Sequence, residues 1–444
     1  MSLVSGVGRQ RSSQQLNLAQ NSIIQGLFPS SAIGLIGEFA SPPINARPKV
    51  RWWWPHGMVD PSEISNEINQ MYTAGFGGAE INDVHPSITI PVDPEGHGWG
   101  TDPWVDAVLT AYRHAESLDF QVDIALGPSY PASVPSLRPD DEGAATEVVS
   151  GRIVIANGTT YSGPIPPPYV AATAGVNNET LLALQAWRVN ASNPVTAVPV
   201  VLDSTTLIDL TKNVKNGNIT WTPPDNGTWL LLSFHMRGTG QPPEAGPHND
   251  PDGTVIDHFS IAGSEASINY WEDHIISSSL KSVLEKVKGS IFEDSLELKY
   301  DTLWTPLLPT EFEERNRYDI FSILPGLALE KQKQAFSFSD AELTRGVLND
   351  YWDTMSELYV RNHVNVIKSW AESMNMKLRA QPYGLPTDAM SAMAALSIPE
   401  GETLEFKNLG DFRSVAGAAN MAGHPLLSIE ACAFAGGAYS TTCK

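Results

Sequence analysis

Two glutamates that each close a short apolar run are the residues of this chain best suited to catalysis. Glu430 ends the run Pro-Leu-Leu-Ser-Ile-Glu, and Glu297 ends Ser-Ile-Phe-Glu-Asp-Ser-Leu-Glu. A carboxylate is costly to bury without partners, so at a strand end it usually faces a polar cleft. Two such carboxylates on two strands of one barrel predict acid–base chemistry on a glycosidic bond. Position alone leaves open that both are ordinary strand-end acids that cap loops.

Asp294 is a possible substitute for Glu297. In a strand, alternate side chains point to opposite faces, so Glu293, Ser295 and Glu297 share one face of a predicted strand and Asp294 lies on the other. A loop at the strand end relaxes this rule. We therefore keep Asp294 among the candidates.

Other polar and aromatic side chains follow predicted strands, on the side of a barrel where catalytic loops gather. Each has a competing structural interpretation: Trp54 as barrel core, and Glu400 and Glu402 as a solvated turn in Ile-Pro-Glu-Gly-Glu rather than as ligands of a substrate hydroxyl or a metal. The candidate substrate-binding residues are Trp54, His56, Glu80, Asp83, Asp294, Gln381, Tyr383, Glu400 and Glu402.

These residues need a repeating framework, and the chain alternates strands with helices from Arg47 onward. Asp60 is a predicted N-cap, Pro61 follows it at the first helical position, and Gly75 ends that helix. Strand–helix–strand spacing of this kind predicts parallel βα units, with a TIM-like (β/α) barrel as the closure. The later predicted elements are a helix over about Glu265–Val287, the strand Ser290–Leu296, a helix from Ser339 to about Met374, the strand Leu378–Gln381, a weak strand at Glu402–Phe406, a helix over Asp411–Ala422 and the strand Leu426–Ile429.

Four regions follow from the pattern. Residues 1–46 form a weakly ordered tail, 47–137 the first part of the barrel, 138–235 an inserted β-rich module, and 236–444 the second part of the barrel. We count about seven barrel strands and no room for an eighth βα unit. The fold class is therefore α/β, with an incomplete barrel.

Composition narrows the partners. The formal net charge of −22 argues against nucleic acid, because phosphate would be repelled over most of the surface. No apolar run approaches the ~18–20 residues of a membrane helix. The 12 Trp can stack on sugar rings or fill the core, and the glutamate pair makes a carbohydrate the expected partner.

Five Asn-X-Ser/Thr sequons lie close together in the β-rich segment, beginning at Asn157, Asn178, Asn190, Asn218 and Asn226. Their clustering predicts a glycosylated, extracellular protein. The N-terminus lacks the charged-then-apolar pattern of a signal peptide, which leaves the route of export open. Cys432 and Cys443 either form one disulfide or stay separate.

Several motifs occur in an order that resembles glycoside hydrolase family 106, the α-L-rhamnosidases. The resemblance covers about Arg47 to Lys444 and is weakest in the sequon-rich segment. The motifs are the run from Arg47 to Ile81, Val255-Ile-Asp-His-Phe-Ser, Phe292-Glu-Asp-Ser-Leu-Glu, Trp304-Thr-Pro, Glu311-Phe with Arg317-Tyr-Asp-Ile, Arg379-Ala-Gln-Pro-Tyr-Gly, Ile398-Pro-Glu-Gly-Glu and Ser428-Ile-Glu-Ala.

The resemblance implies an inverting α-L-rhamnosidase whose two catalytic glutamates fall on Glu297 and Glu430. It also implies a calcium ion that helps to hold the hydroxyls of the sugar, with ligands that remain unassigned. Family members usually continue past this point into further β domains, so a truncated, catalytically silent relative that only binds carbohydrate stays as the alternative.

Overall fold

The computed structural model describes residues 39–54, 57–83, 96–244, 252–330, 332–403 and 406–431. His56, Cys432 and Cys443 lie outside the described residues. The strands are β1 Lys49–Trp53, β2 Gly78–Asn82, β3 Gln121–Ala125, β4 Ser133–Pro135, β5 Thr146–Ile155, β6 Tyr161–Pro164, β7 Glu179–Arg188, β8 Val200–Leu202, β9 Ile208–Asp209, β10 Asn218–Trp221, β11 Trp229–Gly238, β12 Gly253–Val255, β13 Ser290–Glu293, β14 Thr302–Trp304, β15 Leu329–Glu330, β16 Lys333–Gln334, β17 Phe336–Phe338, β18 Lys377–Ala380, β19 Ile398–Glu402 and β20 Ser428–Glu430.

Helices connect many of these strands. They are α1 Pro61–Ala74, α2 Asp102–Leu118, α3 Ile261–Tyr270, α4 Ser278–Val287, α5 Leu308–Asn316, α6 Leu324–Leu327, α7 Ala341–Tyr359, α8 Asn365–Ser373, α9 Ala389–Ala395 and α10 Leu409–Ala422. Two π-helical turns, Trp271–Ile275 and Val360–Val364, follow α3 and α7.

A seven-stranded parallel sheet in the order β1-β2-β3-β13-β18-β19-β20 forms the centre of the molecule. The sheet is curled, and its edge strands β1 and β20 approach each other: Arg51 Nη1 lies 3.1 Å from Glu430 Oε1. The prediction of an α/β protein with about seven barrel strands and additional β structure is confirmed at this level.

Helix α1 shows why the sequence forms the helices around this sheet. The Asp60 side chain accepts from Ser62 N at the start, Gly75 ends the helix at φ +95°, and Ile64 and Ile68 are buried. A residue at such a positive φ is most often glycine, because it has no Cβ to clash with the backbone. The predicted limits of this helix are confirmed.

A second, antiparallel sheet with the order β14-β5-β11-β7-β9 occupies the region predicted as the β-rich insertion. Its longest pairing joins β5 to β11, in which Thr146 pairs with Gly238 at one end and Ile155 with Trp229 at the other. The sheet also includes β14, which follows the predicted insertion by more than sixty residues, so its strands do not stop at residue 235.

Several element boundaries differ from the prediction. Strand β13 ends at Glu293, so Glu297 stands on the following loop rather than closing a strand. Ile398–Glu402, predicted as a turn, is strand β19. The cap of α7 is Asp340, whose carboxylate accepts from two backbone N–H groups, and not Ser339.

The two long predicted helices are each interrupted. The helix predicted over Glu265–Val287 divides into α3, a π-helical turn and α4, since Ser277 caps a new start. The helix predicted from Ser339 to Met374 divides into α7 and α8 at the turn Val360–Val364.

Candidate functional site

The inner face of the parallel sheet carries charge where a barrel usually carries aliphatic side chains. Alternation along β1 sends Lys49, Arg51 and Trp53 to one face, and Trp52 to the other, where its indole N–H donates to Glu67 on α1. The inner-face charged residues that contact one another are Lys49, Arg51, Glu80, Asp123, Asp294, Arg379, Glu400 and Glu430.

Arg379 on β18 occupies the centre of this face. Its guanidinium donates to Glu80 and to Glu400, and it lies 3.4 Å from Asp123 Oδ2. Asp123 also pairs with Lys49 Nζ at 2.7 Å. A buried carboxylate is tolerated only with such partners. The Arg379 guanidinium thus links β18 to β2, β3 and β19 through their carboxylates.

Arg51 connects this centre to the rim. Its Nε lies 2.9 Å from Glu80 Oε1, while its Nη1 lies 3.5 Å from Asp294 Oδ2 and 3.1 Å from Glu430 Oε1. The Gln381 amide donates to Glu430 Oε2 at 2.8 Å and to Glu400 Oε1 at 3.0 Å. Two carboxylates from distant parts of the chain therefore meet on one arginine at the carboxyl ends of β13 and β20.

Asp294 carries the most informative pKa of this group. Burial raises the pKa of Asp294 to about 7, with Glu430 and Glu80 adding to the rise and Arg51 opposing it. A carboxylic acid that keeps its proton near neutral pH, beside an ionisable carboxylate, has the properties of a general acid. The side chain remains 15% exposed, enough to reach a ligand.

Glu297 lies three residues beyond Asp294, on an exposed part of the loop. Its carboxylate accepts from Ser295 Oγ at 3.1 Å, and its carbonyl accepts from Gln241 Nε2 at 2.9 Å. Gln241 follows β11, so the antiparallel sheet helps to fix this loop. The sequence reasoning did not anticipate that link.

The loop that carries Glu297 is also tied to the loop after β18. Leu296 N donates to the carbonyl of Tyr383 at 2.8 Å. A Cβ on Gly384 would lie 2.5 Å from Leu296 O, and the φ of Gly384 is +109°. Glycine therefore permits the close approach that brings Tyr383 toward the carboxylates.

Tyr383 and Tyr130 flank the acids. Burial raises the pKa of Tyr383, and the carboxylates of Glu402 and Glu400 raise it further. Burial raises the pKa of Tyr130 to about 12, with contributions from Glu297 and Asp294. Tyr130 was missed in the sequence, although it follows β3 by five residues on the same side of the sheet as the other loops.

Trp54 does not occupy the position predicted for it. It is fully buried in the hydrophobic core against Trp52, with ring centroids 5.2 Å apart, and presents no face to a sugar. Trp53 is 49% exposed on the inner side, where the Arg51 guanidinium lies 5.6 Å from its ring. Since alternate side chains of a strand share a face, Trp53 lies on the same face as Arg51, and this alternation in the sequence could have identified Trp53 as the residue on the inner side.

The remaining predicted residues divide between the rim and the interior. Glu80, Gln381 and Glu400 are buried in the charged network, and Glu402 pairs in register with Glu430. Asp83 is buried away from that network and accepts from Gly57 N at 2.9 Å. Burial raises the pKa of Asp83, and among the described residues no hydrogen bond joins it to the carboxylate pair.

The partners Arg51, Asp123 and Arg379 were also missed as site residues. A buried cation on a strand is the sequence signal for such a network, since each carboxylate on the neighbouring strands needs a counter-charge. A cavity of about 280 Å³ runs along the seam between β1 and β20, and Arg51, Glu400 and Glu430 lie on its wall.

Paired acids at the carboxyl ends of the strands of a parallel sheet are one arrangement that glycoside hydrolases use. The family model for glycoside hydrolase 106, described as alpha-L-rhamnosidase, matches residues 40–192 and 178–443. The chain belongs to this family.

Two other proteins are similar to this chain. A Formosa agariphila protein named "Putative beta-glucuronidase" is 23% identical over 393 residues, which cover 83% of this chain and 32% of that protein. The solved structure of a rhamnosidase from Novosphingobium sp. PP1Y matches with a TM-score of 0.64 and 17% identity, over 92% of this chain and 54% of that one. The chain thus spans about a third and about half of their lengths. In the described part of the chain, no helix is both long and apolar enough to cross a membrane.

Proposed function

We propose that this chain hydrolyses α-L-rhamnosides, in rhamnosides or pectic glycans, at the rim where β13 and β20 end. The observation that carries the proposal is the single Arg51 nitrogen that contacts both Asp294 and Glu430. Membership in an α-L-rhamnosidase family supports the choice of sugar. In the same proposal, the curled sheet corresponds to a TIM-like barrel.

In the proposed mechanism, Glu430 removes a proton from a water molecule, and an acid on the loop after β13 protonates the glycosidic oxygen. Glu297 is the proton donor favoured by the sequence, which leaves the exchange of roles between Glu297 and Glu430 open. Asp294 is the second candidate, favoured by its pKa of about 7 and its contact with Arg51. Inversion requires room for the water, with about 6.5–9.5 Å between the two catalytic carboxyl groups. Asp294 Oδ2 and Glu430 Oε1 lie 3.5 Å and 3.1 Å from one Arg51 nitrogen, which holds them at the short end of that spacing, so inversion favours Glu297 as the donor.

Substitutions separate these roles. Glu430→Gln should abolish hydrolysis of every rhamnoside, because no group then activates the water. Loss of the true proton donor should reduce hydrolysis of an alkyl rhamnoside by about 10²–10⁴-fold and spare a nitrophenyl rhamnoside, whose leaving group needs no proton. Comparing Glu297→Gln with Asp294→Asn on both substrates identifies the donor.

The controls address the competing functions. Glu265→Gln, an exposed change on α3, should leave both rates unchanged. NMR of the first-formed anomer tests inversion. A folded chain that releases no nitrophenol from an aryl α-L-rhamnoside supports the carbohydrate binder without catalysis, and activity on a different aryl glycoside identifies another glycosidase.

Calcium remains part of the proposal through the family. Oxygen atoms that suit this hard cation are present at the rim: the Glu430 carboxylate, and the buried amide oxygen of Gln381, which has no hydrogen-bond partner in the part of the chain that the structure describes. When bound, the ion would hold two hydroxyls of the sugar and orient it. Removal of calcium with a chelator should then raise KM for an aryl rhamnoside, and its return should restore it.

Secretion and N-glycosylation complete the proposed setting. The support is the position of the sequons in the β-rich region, on the antiparallel sheet, on the neighbouring β6–β10 pair and on their loops, where Asn157, Asn178, Asn218 and Asn226 are exposed. Asn190 is half-buried, and its side chain accepts from Ser192 N at 3.0 Å.

A further inference from the structure

Two histidines and a glutamate meet on the outer face of the parallel sheet, away from the charged inner face. Glu293 is the last residue of β13, His258 follows β12, and His363 lies in the π-helical turn between α7 and α8. All three are buried, with 3% or less of each residue exposed. One donor atom from each lies within 4.8 Å of the other two.

The hydrogen positions on both imidazole rings follow from their neighbours. His258 Nδ1 lies 3.0 Å from the carbonyl oxygen of Ile256, which can only accept, so this nitrogen carries a proton. Ser264 gives its only hydroxyl proton to the carbonyl of Asn362 at 2.8 Å. Ser264 Oγ must therefore accept from His363 Nδ1, 2.9 Å away.

Both Nε2 atoms consequently turn toward the Glu293 carboxylate. His363 Nε2 lies 2.8 Å and 2.9 Å from its two oxygens, and His258 Nε2 lies 3.3 Å from Oε1. The His258 Nε2 atom is buried, and among the described residues no group meets it in good hydrogen-bond geometry. In neutral rings these nitrogens offer lone pairs, so three electron-pair donors converge with no positive charge among them.

We propose that His258, Glu293 and His363 bind a divalent transition-metal ion of the zinc type. Imidazole nitrogens suit zinc, whereas calcium prefers oxygen ligands alone. Histidines that bind a metal almost always donate the other ring N–H to a carbonyl, carboxylate or water. Here His258 donates to a carbonyl, and His363 donates to the Ser264 hydroxyl, which fixes its ring in the same way. This site is separate from the rim carboxylates and from the calcium considered there.

The geometry sets what binding requires. Zinc bonds to nitrogen and oxygen are about 2.0–2.1 Å long, so two ligand atoms on one ion are at most about 4.2 Å apart. The 4.8 Å limit on the donor atoms is within a small rearrangement of that span. Water or the second carboxylate oxygen would supply the fourth ligand.

The rival explanation is a single proton on His363 Nε2, which would give a buried imidazolium–carboxylate pair. It accounts for the 2.8 Å contact but leaves His258 Nε2 facing Glu293 without a proton. A bound metal would also connect three segments, whereas a proton on His363 Nε2 would connect two. The metal would join β13, the segment after β12 and the π-helical turn, and its ligand Glu293 is the residue before Asp294.

The test is metal binding by the full chain. Protein from zinc-supplemented medium is analysed for metal content, stripped with a chelator and titrated with cobalt(II), whose visible absorption reports nitrogen–oxygen coordination. We expect one equivalent of metal per chain, a rise in Tm when zinc is returned, and a saturable cobalt band. A stripped wild-type chain that stays folded and binds neither ion would overturn the proposal.

Variants localise the binding. His363→Asn should abolish the cobalt band, and Ser264→Ala, which keeps all three ligands but removes a hydrogen-bond acceptor, should weaken affinity about 10–100-fold. His114→Asn, a change at a half-buried histidine on α2 outside the site, is the matched control. Equal cobalt binding by His363→Asn and His114→Asn would also overturn the site. If His363→Asn does not fold, the Ser264→Ala affinity and the metal content of the wild type decide.

Discussion

Arg379 shows how one side chain can stabilise the charged inner face of the curled parallel sheet. Glu80, Glu400 and Asp123 would each be costly to bury, and each lies against this guanidinium. Its lower face is covered as well, because the Phe292 ring lies 4.3 Å from the guanidinium carbon. The charges thus stabilise one another only as a set.

Replacing this arginine should therefore be severe. Arg379→Met leaves buried carboxylates without their partner and should lower the free energy of unfolding by about 3–5 kcal/mol. Arg315→Met removes the ion pair with Asp353, in which both side chains are exposed, and should cost about 1 kcal/mol or less. Urea denaturation of both variants provides the comparison, and equal losses would contradict the assigned role.

Asp294 should make stability depend on pH. Because burial raises its pKa to about 7, the folded chain keeps a proton there that the unfolded chain has lost above its ordinary pKa of 3.8. The contribution of Asp294 is therefore largest below about pH 4 and falls as pH rises toward 7, by up to about 1.4 kcal/mol per pH unit.

The variant Asp294→Asn lacks this titration. Relative to wild type, it should become more stable as pH rises from about 4 to 7, and the difference should then level off. Urea denaturation at several pH values measures it. Asp106→Asn, an exposed change on α2, is the control for the loss of a carboxylate. A difference between Asp294→Asn and wild type that is constant with pH would show that Asp294 loses its proton at an ordinary pH.

At the scale of elements, the sequence predicts what local rules determine. Asp60, Pro61 and Gly75 act within one helix, and their helix forms as predicted. The strand at Ile398–Glu402 was missed because Pro399 and Gly401 are typical of a turn, and its pairing with β18 and β20 outweighs that preference. The π-helical turn at His363 likewise depends on contacts with distant residues such as Phe259 and Ser264.

Some residues of the candidate site could likewise be predicted from the sequence, and others could not. Glu430 and Asp294 could be selected because carboxylates at strand ends are conspicuous in the sequence. Their common partner Arg51 could not, because its role depends on the curl of the sheet that brings β1 to β20. The choice between Trp53 and Trp54 needed only the period of two along β1, applied from Arg51.

The start of α7 offers a test at this scale. Asp340→Ala removes a side chain that accepts from Glu342 N and Leu343 N, and it should lower the free energy of unfolding by about 1 kcal/mol, up to about 2. Ser339→Ala removes no cap and should cost less. Thermal unfolding of the pair checks the assignment, and the reverse order would restore Ser339 as the cap.

At the scale of the whole molecule, the antiparallel sheet contributes both surface and support. Its strand β11 leads to Gln241, which donates to the carbonyl of Glu297. The exposed sequons lie in the same β-rich region, with Asn218 at the start of β10.

Expression through a eukaryotic secretory pathway should therefore yield a glycosylated chain. We expect glycans at the exposed Asn157, Asn178, Asn218 and Asn226, and lower occupancy at the half-buried Asn190. Peptide mass spectrometry before and after glycan removal measures each position. Four unmodified exposed sequons would contradict the proposed secretion, while Asn-to-Gln changes at them should leave rhamnoside hydrolysis unaltered.

Strands β1 and β20 are the two edges of the parallel sheet as the described residues define it. The contact between Arg51 and Glu430 connects these two edges. The proposed base is thus also a clasp between the two margins of the sheet. A Glu430→Gln variant would therefore lose a proposed catalytic group and a contact between the sheet edges at the same time. Scattering or hydrogen-exchange data should accompany its rate, since a nitrophenol assay alone does not distinguish loss of the base from separation of β1 and β20.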